Sequence, residues 1–335
     1  MKICICGGGS LGHVCAGVMA SQEGVELNIL SGHPECWSHK VVITDGNGKQ
    51  YAANISKVSS NPEEVISDQD IILFCLPGYL IEKTLNDIKP YIGNATVGTV
   101  VSSTGFFFFA HDILGEKAKL FGFQRVPFIS RVAEYGKTAN LLGYKSSLAA
   151  VLENVEDKER FRKELERLFL TPVTLLNTFF EVALSNSNPI LHTGRLYTMF
   201  HGREKEVFDH NILFYKEWTD EASQMLIDMD AEFFKLLEKL NVHSLPTLLE
   251  YYESTDATSL TRKIKSIPAF QTIASPMKQV DGGWMADFES RYFTEDFPFG
   301  LRWIKDLVED SNVNCPTIDR VYQWGVTLYR TVSQQ

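Results

Sequence analysis

The sequence predicts an α/β domain built on a parallel sheet, followed by an all-α domain, and three observations carry that prediction. Over about the first hundred residues short apolar runs alternate with helical stretches, the pattern of βαβ units. A glycine-rich run, Gly7-Gly8-Gly9-Ser10-Leu11-Gly12, sits between the first apolar run and the first helical stretch. Beyond about Asn177 the strand signal almost ceases and long amphipathic patterns take over. The boundary is placed near residue 178, giving domains 1–178 and 179–335. At 335 residues the chain is long for one core, and two domains with a cleft between them are expected.

Taken in order, Lys2 to Cys6 reads as a strand, Leu11 to Ser21 as a helix and Val25 to Leu30 as a second strand. Val41 to Thr44 and Gln50 to Asn54 flank the turn Asp45-Gly46-Asn47-Gly48 and read as an inserted antiparallel hairpin. Asn61-Pro62-Glu63-Glu64 starts a helix, with proline in its first turn. Ile71 to Leu76 is continuously apolar, as a strand buried on both faces should be, and Ala95 to Val101 repeats the signal. Glu153 to Phe169 pairs Glu with Lys or Arg at helical spacing, and Thr171 to Leu176 reads as a last strand. In the second domain Glu217 to Leu240, Leu245 to Ser254 and Ile318 to Ser333 are amphipathic helices, whose aromatics are read as core.

Bulk properties exclude several classes. With 44% hydrophobic, 22% charged and 12% aromatic residues, the chain is neither disordered nor fibrous. A net charge of −10, without a basic stripe, argues against a nucleic-acid partner. No apolar run approaches the ~20 residues that span a bilayer and no leader-like segment opens the chain, so no membrane partner and a cytoplasmic location are expected. Cys4, Cys6, Cys15, Cys36, Cys75 and Cys315 lack metal-ligand spacing, three of them lie in expected buried strands, and all are read as reduced, structural small hydrophobes, with no metal.

The glycine-rich run fits G-x-G-x-x-G in its proper context, directly after a strand and opening a helix. Gly7 permits the tight turn and Gly9 lets the backbone approach a pyrophosphate. Ser10 and Leu11 open the helix whose N-terminus faces the anion, and Gly12 lets that helix pack close to the strand. The first domain is therefore read as a Rossmann-type fold, with NAD or NADP as its cofactor. The acid that usually ends the second strand and disfavours a 2′-phosphate is replaced by Ser31-Gly32-His33. Ser31 suits either ribose, and His33 or Lys40 suits a phosphate, which tilts the expectation to NADP; a solvated turn accounts for both basic residues as well. Leu76 and Pro77 end a strand where a loop can lie against the nicotinamide half, or they form a plain strand-to-turn junction. Ser103, within Ser102-Ser103-Thr104-Gly105, offers a hydroxyl at the same rim.

Hydride transfer to a carbonyl or imine needs a proton donor at the reduced centre and a group to align the substrate carboxylate. Histidine suits the first task at neutral pH. His192 follows the polar, helix-starting run Asn186-Ser187-Asn188-Pro189, which gives it either a place facing the cleft or an ordinary position near a helix cap. Asp281-Gly282-Gly283-Trp284 and Arg291-Tyr292-Phe293-Thr294-Glu295-Asp296 set two glycines, an arginine and paired acids among aromatics. Such an Asp can orient an imidazole while the Arg takes a carboxylate, or the pair can form a helix cap with a salt bridge.

At these residues the sequence resembles the opine dehydrogenases, the octopine/nopaline dehydrogenase family. The likeness runs from Lys2-Ile3-Cys4-Ile5-Cys6-Gly7-Gly8-Gly9 through Asn188-Pro189-Ile190-Leu191-His192 to Val280-Asp281-Gly282-Gly283 and the 291–296 segment. The resemblance implies NAD(P)H-dependent condensation of an amino acid with a 2-oxo acid and reduction of the resulting imine. It places the catalytic histidine at His192, its partner at Asp296 and the carboxylate-holding arginine at Arg291. Where octopine-type members carry an acid suited to a guanidinium partner, this chain has Gln124 followed by Arg125, so a smaller or acidic amino acid becomes the expected donor. Two other readings stay open: a 2-oxo acid reductase of the ketopantoate-reductase type, which would normally use a lysine, and a non-catalytic dinucleotide-binding protein.

Overall fold

The computed structural model describes residues 1–333. The chain divides into two compact units, the first ending at Ser185 and the second beginning at Asn186.

In the first unit β1 (Lys2–Cys6), α1 (Ser10–Ala20) and β2 (Glu26–Leu30) form the opening βαβ unit. There follow β3 (Lys40–Asp45), β4 (Gln50–Asn54), β5 (Lys57–Ser59), α2 (Pro62–Ile66), β6 (Ile71–Phe74), α3 (Gly78–Ile88) and β7 (Thr96–Thr99). After α4 (Phe106–Leu114) come β8 (Leu120–Phe123), β9 (Phe128–Glu134), β10 (Thr138–Tyr144) and β11 (Leu148–Glu153). The unit ends with α5 (Lys158–Phe169), β12 (Val173–Leu175) and the short α6 (Phe180–Ala183). Eight strands make the main sheet in the order β12-β11-β8-β7-β6-β1-β2-β5, parallel except where β11 meets β8. The central strands β6 and β7 are buried along their whole length, as a parallel sheet covered on both faces requires.

The expected hairpin forms, but as half of a second sheet, ordered β4-β3-β10-β9, that packs on α1. β9 and β10 were not anticipated, because Ile129, Leu142 and Tyr144 are exposed and blur the alternation that marks a half-buried strand. The helix expected from Glu153 begins at Lys158: residues 148–153 are strand, and Asp157 caps the helix by accepting the Arg160 amide hydrogen at 2.9 Å.

The second unit is helical, with α7 (Asn188–Phe200), α8 (Asp220–Lys239), α9 (Leu248–Tyr251), α10 (Ala257–Ser266), α11 (Arg291–Thr294), α12 (Arg302–Asp310) and α13 (Pro316–Ser333). It also holds one two-stranded hairpin, β13 (Met277–Val280) with β14 (Gly283–Ala286). Asp281 and Gly282 form its turn. Gly283 has φ near +152°, and a Cβ there would lie 2.0 Å from the Phe208 carbonyl oxygen, so only glycine fits. The helix expected over 245–254 shrinks to α9, started by a Thr247–Glu250 capping box and followed by Glu253 at positive φ.

Candidate functional site

In the first unit the Gly7–Gly12 turn meets the demands of a phosphate cradle one residue at a time. Gly7 has φ of +119°, and a Cβ there would lie 2.6 Å from the Cys75 carbonyl oxygen. A Cβ on Gly12 would sit 2.1 Å from the Gly7 carbonyl oxygen, so helix and turn touch. Beside Gly9, by contrast, no protein atom would come within 4 Å. Space at Gly9 opposite the first turn of α1 fits the pyrophosphate of a dinucleotide. A cavity of about 550 Å³ adjoins the turn, lined by Gly7, Gly8, Ser31, His33, Leu76, Lys83 and Tyr135 among others. Lys40 is not in that lining. Pro77 is the N-cap residue of α3, directly after Leu76.

The side chains of the cradle are partly committed to structure. Ser10 Oγ accepts the Val132 amide hydrogen at 3.1 Å, tying β9 to the start of α1. His13, fully buried one turn further on, is held through both ring nitrogens. Nδ1–H donates to the Gly9 carbonyl at 3.0 Å, and Nε2 accepts the Gly136 amide hydrogen at 2.7 Å. Burial lowers its pKa below the ordinary histidine value, which suits the neutral form those two bonds need. Ser31 Oγ accepts from the His33 amide and from Trp37 Nε1, each at 3.2 Å, and faces the Tyr135 hydroxyl at 3.4 Å. His33 is open to solvent, with Nδ1 3.5 Å from Glu35 Oε1. Thus the hairpin of the second sheet braces the glycine-rich turn, a role for His13 and Tyr135 that no local pattern announces.

Of the residues expected at the rim, Ser103 forms no hydrogen bond among the described residues, while Ser102 Oγ donates to the Phe123 carbonyl and Thr104 Oγ1 to that of Val101. Gln124 Nε2 donates to the Glu181 carbonyl at 3.0 Å and Arg125 to the Ser185 carbonyl at 3.0 Å. Arg125 therefore meets a backbone carbonyl there and no neighbouring acid.

In the second unit α7 starts at Asn188 because Asn186 Oδ1 accepts its amide hydrogen and Pro189 fills the first turn. Gly300 lies against that proline: a Cβ at 300 would come within 2.8 Å of Pro189 Cγ. The contact brings 291–301 onto the start of α7. After α11 the chain turns through one π-helical turn, Phe297–Leu301, closed by the Leu301 amide donating to the Asp296 carbonyl at 2.7 Å. Asp296 is thereby aimed at α7, and its Oδ2 lies 2.8 Å from His192 Nδ1. The side chains retain 12% and 19% exposure, buried enough to strengthen the pair yet open to a ligand.

The other imidazole nitrogen is also engaged. Nε2 is 3.0 Å from the hydroxyl of Tyr215, which sequence reasoning missed. Tyr215 belongs to an irregular segment held by Arg195, a buried residue one turn along α7. Arg195 donates from Nε to the Phe214 carbonyl at 3.2 Å and from a terminal nitrogen to the Glu217 carbonyl at 2.8 Å. Burial lowers its pKa to about 10, which leaves it charged at neutrality. Arg291 opens α11 and is exposed, and no hydrogen bond or ion pair engages its guanidinium among the described residues. Tyr292, beside it, stands 4.7 Å from the His192 ring.

No cluster of three or more His, Cys, Asp or Glu placed to hold a metal occurs among the described residues, and no described helix is long and apolar enough to cross a membrane. The second unit thus holds a carboxylate-oriented imidazole near an exposed arginine, and the first holds a glycine-rich turn beside a cavity. Residues 175–329 match the family model for the alpha-helical domain of NAD/NADP octopine/nopaline dehydrogenase. Octopine dehydrogenase of Pecten maximus is 27% identical over 97% of this chain and 89% of its own length. Opine dehydrogenase of Haliotis discus hannai is 26% identical with the same coverage. An octopine dehydrogenase solved with NADH and L-arginine superposes with a TM-score of 0.85 at 26% identity, over 97% of this chain and 88% of that one. A helical domain matched by the family model and a whole length similar in sequence and fold make this chain similar to the opine dehydrogenases and support an oxidoreductase that works with a nicotinamide dinucleotide.

Proposed function

We propose that the protein condenses the amine of an amino acid with a 2-oxo acid and reduces the imine to an N-(carboxyalkyl)amino acid, with His192 as acid and base. The observation that carries this reading is the 2.8 Å contact between His192 and Asp296. A carboxylate only accepts hydrogen bonds, so Asp296 keeps the proton on Nδ1 and leaves Nε2 as the basic nitrogen. His192 then takes a proton from the ammonium group so that the amine can attack the keto carbon, and returns it as water leaves the carbinolamine. Asp296 stabilises the imidazolium formed in between. Arg291 takes the carboxylate of the 2-oxo acid through two parallel N–H donors. Bound at the Gly7–Gly12 cradle, the dinucleotide supplies the hydride that reduces the imine.

Gln124 and Arg125 are assigned to the choice of amino acid. The single Arg125 bond to Ser185 leaves most of its five N–H donors for an acidic or small donor. NADPH is the favoured cofactor: at Ser31-Gly32-His33 no acid stands where one would reject a 2′-phosphate, and His33 and Lys83 line the cavity, each beside an acid, Glu35 and Asp87, from which a phosphate would have to draw it. All six cysteines are free, in keeping with the reducing cytoplasm as its location.

The test is a matrix of 2-oxo acids against amino acids, run with NADH and with NADPH. Oxidation is expected only when both organic substrates are present. His192→Ala is expected to lower turnover by about 10²–10⁴-fold while cofactor affinity stays within about twofold. Turnover unchanged in that variant, or oxidation with a 2-oxo acid alone, overturns the assignment.

A further inference from the structure

Granting that His192 is the acid and base, its Nε2 poses a problem that the His192–Asp296 pair alone does not solve. This nitrogen has one in-plane site, which serves as an acceptor when the imidazole is neutral and as a donor when it is charged. At a largely buried position either state is costly without a partner. A carboxylate in that place would serve only the charged form, and a lysine only the neutral one. The Tyr215 hydroxyl at 3.0 Å can do both, giving its hydrogen to neutral Nε2 and offering a lone pair to Nε2–H.

We propose that Tyr215 is a positioning residue acting through His192: in the substrate-free enzyme its hydroxyl is a two-way partner that holds the ring with Nδ1 on Asp296 and keeps Nε2 bonded in both protonation states until the substrate amine takes that place. Three further observations support it. The phenol ring is fixed, 6% exposed, stacked on Phe270 at 4.1 Å between centroids and parallel to Trp218 at 5.9 Å. Its backbone is fixed by Arg195, on the helix that carries His192, so one element sets both ends of the hydrogen bond. Burial raises the Tyr215 pKa well above its ordinary value, so the hydroxyl keeps its hydrogen wherever the enzyme would work.

Few other groups can interfere. Those facing the pair are Asp296, Glu295 and Tyr292 from 291–296, with exposed Arg291 beside them, and Tyr252 behind Tyr215. Arg195 on α7 is turned to the Phe214 and Glu217 carbonyls. Elements packed against α7 direct their charges elsewhere: Asp230 and Glu232 of α8 to the amides of Leu248 and of residues 317–318, Asp319 of α13 to Lys305, and Arg320 over the Tyr197 ring.

A hydrogen bond to a charged partner is about twice as strong as one between neutral groups, so loss of the hydroxyl should cost the imidazolium more than the neutral ring. The experiment is ¹⁵N NMR of histidine-labelled wild type and Tyr215→Phe, with His192→Asn to assign the resonances, beside the pH profile of kcat/KM for the two-substrate reaction. In wild type Nδ1 is expected to be the protonated nitrogen above the imidazole pKa. In Tyr215→Phe that pKa is expected to fall by about one unit and to carry the acid limb of kcat/KM with it. A wild-type ring protonated at Nε2 overturns the proposal, as does a folded Phe variant whose imidazole pKa and acid limb do not move. The tautomer is read on wild type, so a Phe variant that fails to fold leaves that arm decisive. Turnover that survives His192→Asn would instead overturn the acid–base reading and leave the tautomer result standing.

Discussion

Arg291 and Asp296 belong to one short segment yet have opposite environments, and their chemistry follows from that difference. Asp296 is part-buried and spent on His192, so it acts through another side chain. Arg291 is exposed and makes no hydrogen bond or ion pair among the described residues, and the proposed function assigns it to a substrate carboxylate. Replacing Arg291 by Lys keeps the charge and loses the planar fork. KM for the 2-oxo acid is then expected to rise about tenfold or more, with a smaller change in KM for the amino acid, which steady-state kinetics with each substrate varied in turn will read. Asp296→Asn should lower kcat by about 10²–10⁴-fold without changing the affinity for cofactor in a binding titration. The segment stood out in the sequence as an arginine and paired acids among aromatics, and the family resemblance gave its two residues their proposed roles. Tyr215 did not stand out, since its segment has no period and its hydroxyl finds Nε2 only once Arg195 has shaped the backbone.

At the scale of elements, the cradle depends on how closely α1 approaches the turn before it. Gly12→Ala would force a methyl group to 2.1 Å from the Gly7 carbonyl oxygen, and either the helix or the turn must move. Overpacking of this kind costs about 1–3 kcal/mol. Gly12→Ala is therefore expected both to lower the melting temperature by several degrees and to weaken cofactor binding. Gly9→Ala meets no protein atom within 4 Å, so it should melt like wild type and still bind cofactor at least about tenfold more weakly, because the methyl occupies the space read as the pyrophosphate site. Calorimetric melting and binding titration separate the two; equal behaviour would remove the distinction between packing and ligand glycines. The turn itself was plain in the sequence, but its brace was not. β9 and β10 reach it through His13, Ser10 and Tyr135, contacts made across more than a hundred positions of chain.

For the whole molecule, a net charge of −10 means that anionic substrates are met by local donors and not by the general field. Stability has a local electrostatic handle as well. His111 on α4 pairs through Nε2 with Glu153 at the end of β11, at 2.8 Å. The Glu153 partner raises the His111 pKa above its ordinary value, against the opposing effect of burial. The contribution of this pair to folding is thus fully present below the unfolded-state value of about 6.5 and is lost as pH rises through the higher folded-state value. Urea unfolding should show stability declining across that window in wild type, and a flatter profile in His111→Gln; parallel profiles would leave the pair without energetic weight.

By itself the sequence determined what local physics can encode: the alternation of buried strands with helices in the first unit, the glycine-rich turn and the helical character of the second unit, while His192, Arg291 and Asp296 were singled out by the family resemblance. The local patterns show in period, turn chemistry or residue type over a few positions. Only the tertiary structure decided that the inserted hairpin joins β9 and β10 in a second sheet, that Asp281-Gly282 is a hairpin turn, and that Nε2 of His192 is met by a phenol. Those outcomes depend on register between distant strands and on the buried Arg195, where long-range packing selects among local conformations of similar energy.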